Sequence, residues 1–192
     1  MPQAPFQAVL SDNFEGDAAG SSPTGWTSTA LNSSWTVQKQ NANQVLSHSG
    51  WSGYLSAGNS GWTQYLLSVS VEPSGWASEQ DGLVFAHSEA GHYSVDIVGG
   101  NQLVLTSSVG GTDHTLAQAA YSFNPWRWYT LSVSFTQGSI TAYVDGKAVL
   151  HSTDSILSAG AIGLEANDPV VFDNVVVSAA GVPSQPSSTP RP

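Results

Sequence analysis

Apolar and polar residues alternate with a period of two along most of this chain, and no stretch repeats at helical spacing for long enough to predict a helix. The pattern is sharpest between Trp126 and Leu150. There Tyr129, Leu131, Val133 and Phe135 fall on one side of an extended strand, and Trp128, Thr130, Ser132 and Ser134 on the other. Gln137-Gly138 reads as a turn, Ile140, Ala142 and Val144 resume the alternation, and Asp145-Gly146 is a strong signal for a two-residue hairpin. This segment predicts an antiparallel sheet with one buried face. The same reading places strands at 6–10, 35–38, 44–47, 64–72, 82–87, 93–98, 103–107, 114–118, 128–136, 139–145, 147–152, 161–165 and 170–177. Strands at this density, joined by short Gly, Asn, Ser and Asp connections, predict two packed antiparallel sheets rather than a small closed barrel. Gly-Trp recurs at Gly25, Gly50, Gly61 and Gly75. Its spacing is too irregular for a solenoid or propeller.

Composition narrows the picture. The 192 residues, 40% of them hydrophobic, suit one large all-β domain over residues 1–180. In residues 181–192, GVPSQPSSTPRP, Pro removes backbone donors and Ser and Thr add no burial, so the segment reads as a linker or tail; a linker predicts covalent attachment to further domains. Four Lys and Arg against fourteen Asp and Glu give a formal charge of −10, which repels phosphate backbones and anionic lipid, so neither nucleic acid nor membrane is an expected partner. Charged residues are only 9% of the chain, so the surface is mostly hydroxyl and amide and favours a neutral partner. The absence of cysteine excludes disulfides and thiolate chemistry. No apolar run approaches the roughly 18 residues of a membrane span. MPQAPFQAVL has no signal-peptide pattern, so the expected secreted location places the export signal outside this sequence.

Several segments in order resemble one superfamily: NFEG at Asn13, GW at Trp26, WTQY at Trp62, GLVF at Gly82, HYSVDI at His92, NQLVL at Asn101, WYTLSV at Trp128, ITAYVDGKAV at Ile140, GAIGL at Gly160 and FDNVVV at Phe172. Over roughly residues 8 to 178 the chain is similar to the concanavalin A-like lectins and glucanases, especially their laminin-G-like and 3-keto-disaccharide-hydrolase-like jelly rolls. The resemblance implies an antiparallel two-sheet jelly-roll sandwich with one concave face. It does not single out an activity, because this fold carries lectins, carbohydrate-binding modules, hydrolases and adhesion modules.

Sugars are recognised by flat aromatic platforms flanked by hydrogen-bonding side chains. Trp35, Trp62, Tyr65 and Trp128 lie in or beside patterned strands and are expected in the core. Trp51, Tyr54 and Trp76 are surrounded by Gly, Ser and Asn, a loop composition, and are candidate ligand contacts or aromatic lids, with Trp126 a comparable case. His87 closes the GLVFAH strand where relatives often carry Arg, and Tyr93 opens the next one. Paired through the SEAGH turn, these two are further candidate sugar contacts. Among the carboxylates, Glu79 and Asp81 share a face if extended, but the glucanase pattern Glu-x-Asp-x-x-Glu is absent, and Glu165 and Asp168 stand in a loop-like EAND segment. In jelly rolls the first and last strands commonly pair. That would bring Asp12 or Glu15 toward Asp173, and several relatives hold a structural Ca²⁺ in such a place.

The leading reading is a secreted, non-catalytic module that binds a neutral oligo- or polysaccharide by stacking and hydrogen bonding. Two alternatives stay open: a glycoside or 3-keto-sugar hydrolase on the same fold, and a laminin-G-like adhesion domain that binds protein.

Overall fold

The computed structural model describes residues 6–28, 33–50, 52–74, 80–167 and 169–180. They form two antiparallel sheets closed over one apolar interior, the jelly-roll sandwich that the alternation predicts. One sheet runs β13 (Lys147–Thr153), β12 (Ser139–Val144), β11 (Tyr129–Thr136), β6 (Gln64–Pro73), β15 (Val170–Ala180), β4 (Asn43–Gly50) and β3 (Ser33–Gln40). Strand β1 (Phe6–Asp12) joins it by pairing with the second half of β15. The other sheet runs β10 (Thr112–Ala120), β9 (Gln102–Val109), β8 (Gly91–Val98), β7 (Gln80–Ser88), β14 (Ala161–Ala166), β5 (Gly53–Ala57) and β2 (Thr27–Ser28). All thirteen expected strands form, with ends shifted by a few residues. The short β2 and β5 are additional.

The 126–150 segment behaves as its pattern requires. Asp145 and Gly146 both take positive φ, 49° and 76°, the geometry that matches a two-residue hairpin to strand twist. The Asp145 carboxylate secures the corner by accepting the Thr130 amide at 2.9 Å and Arg127 at 3.1 Å. On the buried side, Phe135 of β11 is the junction between the sheets. Its ring lies 5.6 Å from Tyr65 on β6 and 5.8 and 6.0 Å from Phe85 and Tyr93 of the opposite sheet. Tilted aromatic pairs of this kind add about 0.5–1.5 kcal/mol each beyond the area they bury.

One irregularity matters for function. Between Phe85 and Ser88 the β7 register slips, and Ala86 at φ 50° leaves the ladder as a bulge. Its freed amide is satisfied across the core by the Tyr65 hydroxyl, at 2.8 Å. The bulge reverses the alternation, so His87 does not follow Leu83 and Phe85 into the core but emerges on the outer face of the seven-stranded sheet.

Candidate saccharide groove

That outer face carries the residues left over by the inward set on each strand. Val95, Leu105 and Leu164 point into the core, so Ser94, Thr106 and Glu165 point out. Together with Gln80, His92, Ser108 and Asp113, and with the turns at Glu89–Gly91 and Gly110–Gly111, they line a groove of about 560 Å³. Ser108 donates to Asp113 on its wall. No Lys or Arg lines it among the described residues.

His92 also belongs to a ring cluster. Tyr54 lies 4.9 Å from His87 and 5.9 Å from His92, and the two imidazoles are 6.1 Å apart. Tyr54 lies close over the chain because β14 offers Gly163 beneath it, where a Cβ would stand 3.0 Å from the phenol oxygen. The Tyr54 hydroxyl is buried without a hydrogen-bond partner among the described residues. Burial, then the nearby Glu165 charge, holds this phenol well above its ordinary range, so it stays a potential donor. Burial, then His92, pulls His87 below the usual imidazole value and keeps it neutral at pH 7.

Beside the cluster, two carboxyls meet. The register aligns Tyr54, Glu165, Gly82 and Asp96 in one row across β5, β14, β7 and β8. Gly82 has no side chain to separate the carboxyls of its two neighbours. A Cβ there would come within 2.5 Å of Asp96 Oδ1 and would collide with the Val95 carbonyl. Asp96 is 0% exposed, and Ser94 donates to its Oδ2 at 2.6 Å. Glu165 lies within hydrogen-bonding reach of it. Burial first, then the Glu165 charge, raises Asp96 well above the carboxylate range.

The other expected site residues fall as follows. Tyr54 stands on a strand rather than a loop, and it does meet His87 on the outer face. Tyr93 does not join them. Its ring is fully buried, its hydroxyl donates to Asp154 at 2.6 Å and accepts the Leu157 amide at 3.0 Å, and its place on the outer face belongs to His92. Alternation in HYSVDI carries that assignment, since Tyr93, Val95 and Ile97 form the apolar set. Trp51, Trp76, Glu79 and Asp168 lie outside the described residues. Asp81 pairs in register with the core residues Ile97 and Ala166, so it takes the opposite side of β7 from the groove, and it accepts the Asn167 amide at 3.1 Å. Trp35 and Tyr65 are core as expected, Trp62 and Trp128 are half-buried, and Trp126 is 69% exposed.

The first and last strands do pair, yet Asp12, Glu15 and Asp173 are not gathered. Asp12 accepts the Phe14 amide and the Trp26 indole, both at 2.8 Å. Glu15 accepts the Gln44 amide at 2.7 Å, and Asp173 accepts the Asn174 amide at 2.7 Å and the Asn43 side chain at 2.8 Å. These carboxylates hold turns and strand ends. The donor set does not fit one Ca²⁺ site, and no group of three or more His, Asp or Glu is placed to hold a metal among the described residues.

The model of the 3-keto-alpha-glucoside-1,2-lyase-like domain matches residues 11–178. Among solved structures, the carbohydrate-binding module CBM66 from Bacillus subtilis superposes with a TM-score of 0.69 at 19% identity, covering 81% of this chain and 96% of that one. Domain 4 of AbnA, an extracellular arabinanase from Geobacillus stearothermophilus solved with arabinotriose, gives 0.65 at 15%, covering 93% and 94%. SCLam, a non-specific endo-beta-1,3(4)-glucanase, gives 0.67 at 13%, covering 91% and 92%. These likenesses are of fold. Among curated proteins the sequence finds no match.

Proposed function

We propose, from the premise that the chain belongs to the 3-keto-alpha-glucoside-1,2-lyase-like domain family, that it is a non-catalytic domain binding a neutral saccharide in the outer groove of the seven-stranded sheet. The observation that carries this reading is the groove itself. It sets the ring of His92, backed by Tyr54 and His87 at 5.9 and 6.1 Å, among hydroxyl and carboxylate groups able to pair with the hydroxyls of a sugar. Glu89, Asp113 and Glu165, with no cation on the wall among the described residues, disfavour uronic and sulfated sugars. Two structural neighbours, a carbohydrate-binding module and an arabinanase domain in complex with arabinotriose, lend support.

The carboxyls favour binding over glycoside hydrolysis. Hydrolases set two carboxyls about 5–9.5 Å apart on either side of the scissile bond. Here Asp96 and Glu165 are in hydrogen-bonding reach of each other, and Asp96 is fully buried and cannot reach a substrate. Calorimetric titration with neutral oligosaccharides tests the reading: binding that weakens about tenfold or more in Tyr54→Ala or Glu165→Gln is expected. Absence of binding to every neutral glycan tried, or binding indifferent to both changes, refutes it.

A second reading follows from the neutral His87 in the ring cluster. A 3-keto-glucoside has an acidified C2–H, so a neutral imidazole taking that proton while the C1–O bond breaks, the electron pair leaving on the aglycone oxygen and the imidazolium returning the proton to it as the alcohol departs, would perform a 1,2-elimination. Conversion of a 3-keto-glucoside followed by NMR, lost in His87→Asn, would favour this reading over simple binding.

A further inference from the structure

We infer that Asp96 is a positioning residue for Glu165, the two carboxyls sharing one proton so that Asp96 is the acid and Glu165 the carboxylate presented to a pair of sugar hydroxyls. This rests on the saccharide reading of the groove.

The geometry leaves few alternatives. Asp96 Oδ2 already accepts the Ser94 hydroxyl, and Oδ1 lies against the Gly82 position, fully buried, with no donor reaching it among the described residues. Its remaining neighbour in the row is the Glu165 carboxyl. Two facing carboxylates with one hydroxyl donor cannot both stay charged in a buried site; one proton turns the repulsion into an acid-to-carboxylate hydrogen bond. The proton belongs on Asp96, because Asp96 is cut off from water whereas Glu165 borders the open groove.

The surrounding groups do not relieve the pair. Asp81 on β7 adds a further negative charge to Asp96, and Tyr54 on β5 approaches Glu165 as a neutral phenol. His87 is neutral, and His92, Glu89 and Asp113 complete the titratable set on the groove. Among the described residues no cation lines it to stabilise a second charge. Glu165, anchored through Asp96 on one side, keeps lone pairs free for adjacent hydroxyls of a neutral sugar, an arrangement that a doubly charged floor would lose.

The test combines a ligand-free readout with a binding profile. Infrared spectra of the whole chain across pH report the carboxylic-acid C=O band, and titrations with arabinotriose and laminaritriose at each pH report affinity. We expect an acid band at pH 7 that Asp96→Asn removes, and wild-type affinity that falls about tenfold or more as the band disappears at higher pH. Asp96→Asn, whose amide donates in place of the acid, should bind less than about tenfold more weakly at pH 7 and lose the pH dependence, while Asp96→Ala should lose more than about tenfold. A wild-type spectrum without the acid band overturns proton sharing, and a wild-type pH profile retained by Asp96→Asn overturns the positioning role. The band present with neither trisaccharide bound, nor any other neutral glycan, overturns the saccharide reading and the positioning role with it, while leaving the shared proton standing.

Discussion

Replacing Tyr93 with Phe removes one oxygen from the end of a core ring, where it meets Asp154, and leaves the ring volume in place. That oxygen donates to Asp154 at 2.6 Å and accepts the Leu157 amide at 3.0 Å. A hydrogen bond to a charged group contributes about 1.5–3 kcal/mol, and a buried amide left without an acceptor costs about 1–3 kcal/mol. The two do not sum fully, because half-exposed Asp154 recovers water and keeps the Ile156 amide at 2.8 Å, whereas Leu157 is 5% exposed. A net loss of about 2–4 kcal/mol is expected, which for a domain of this size lowers Tm by roughly 4–16 °C. Thermal melts by circular dichroism at pH 7 measure it. Burial, then Asp154, pushes the Tyr93 phenol up to about 12. The folded chain therefore keeps a proton that the unfolded phenol releases near pH 10, so the stabilisation is complete below about pH 10 and lost as pH rises toward 12. Wild-type Tm should fall across that window more steeply than that of Tyr93→Phe. Saccharide affinity at pH 7 should not change, since the ring is 0% exposed. An unaltered Tm combined with lost binding would return Tyr93 to the ligand surface and refute the assignment.

Gly82→Ala should lower Tm by roughly 2–12 °C through about 1–3 kcal/mol of overpacking, because its Cβ has no room beside Val95 and Asp96. It should also weaken saccharide binding, and a neutral result in both assays would show that the row tolerates a side chain. Tyr65→Phe should cost about 1–3 kcal/mol by orphaning the Ala86 amide, read as a shift in urea midpoint, and should weaken binding as well by loosening the bulge that exposes His87; stability lost with binding fully retained would separate the bulge from the site. The raised Asp96 makes the folded chain hold a proton that the unfolded residue releases near pH 4, so stability should decline from about pH 4 up to the folded titration. Asp96→Asn should flatten that decline, and parallel curves for the two proteins would contradict it.

The legible parts of the fold are those where one period runs without interruption. Strands β11 to β13 could be read because Tyr129 through Phe135 alternate strictly and Asp-Gly closes the hairpin. Strand β5 could not, since only Leu55 and Ala57 mark its inner face and the Gly and Ser around them mimic a loop. Tyr93 was a different kind of miss. Its strand does alternate, and following Tyr93, Val95 and Ile97 as one apolar set places it in the core and leaves His92, Ser94 and Asp96 facing out. The expected pairing of first and last strands pointed to Asp12, Glu15 and Asp173, and the pairing forms, but Asn43, Gln44 and Trp26, all distant in sequence, supply the donors that hold those carboxylates as structural supports.

What made the groove illegible is that its key contacts arise from two departures from simple alternation, neither of which a local pattern announces. The Ala86 bulge places an alanine at positive φ without a Gly or Asn to mark it, and it brings His87 out beside Tyr54 and His92. The second departure is the missing side chain at Gly82, which allows carboxyls on β8 and β14 to meet across an intervening strand. Asp96 and Glu165 are far apart in sequence, and only the pairing of β14 with β7 brings them into one row. Strand pairing thus juxtaposes two like charges at a buried position, an arrangement that costs stability unless a proton is held there. A chain selected for folding alone would have little use for that cost, since an apolar pair would fill the row as well. Its presence on the floor of a polar groove is the physical reason to look for ligand recognition at Glu165 rather than at the exposed Trp126.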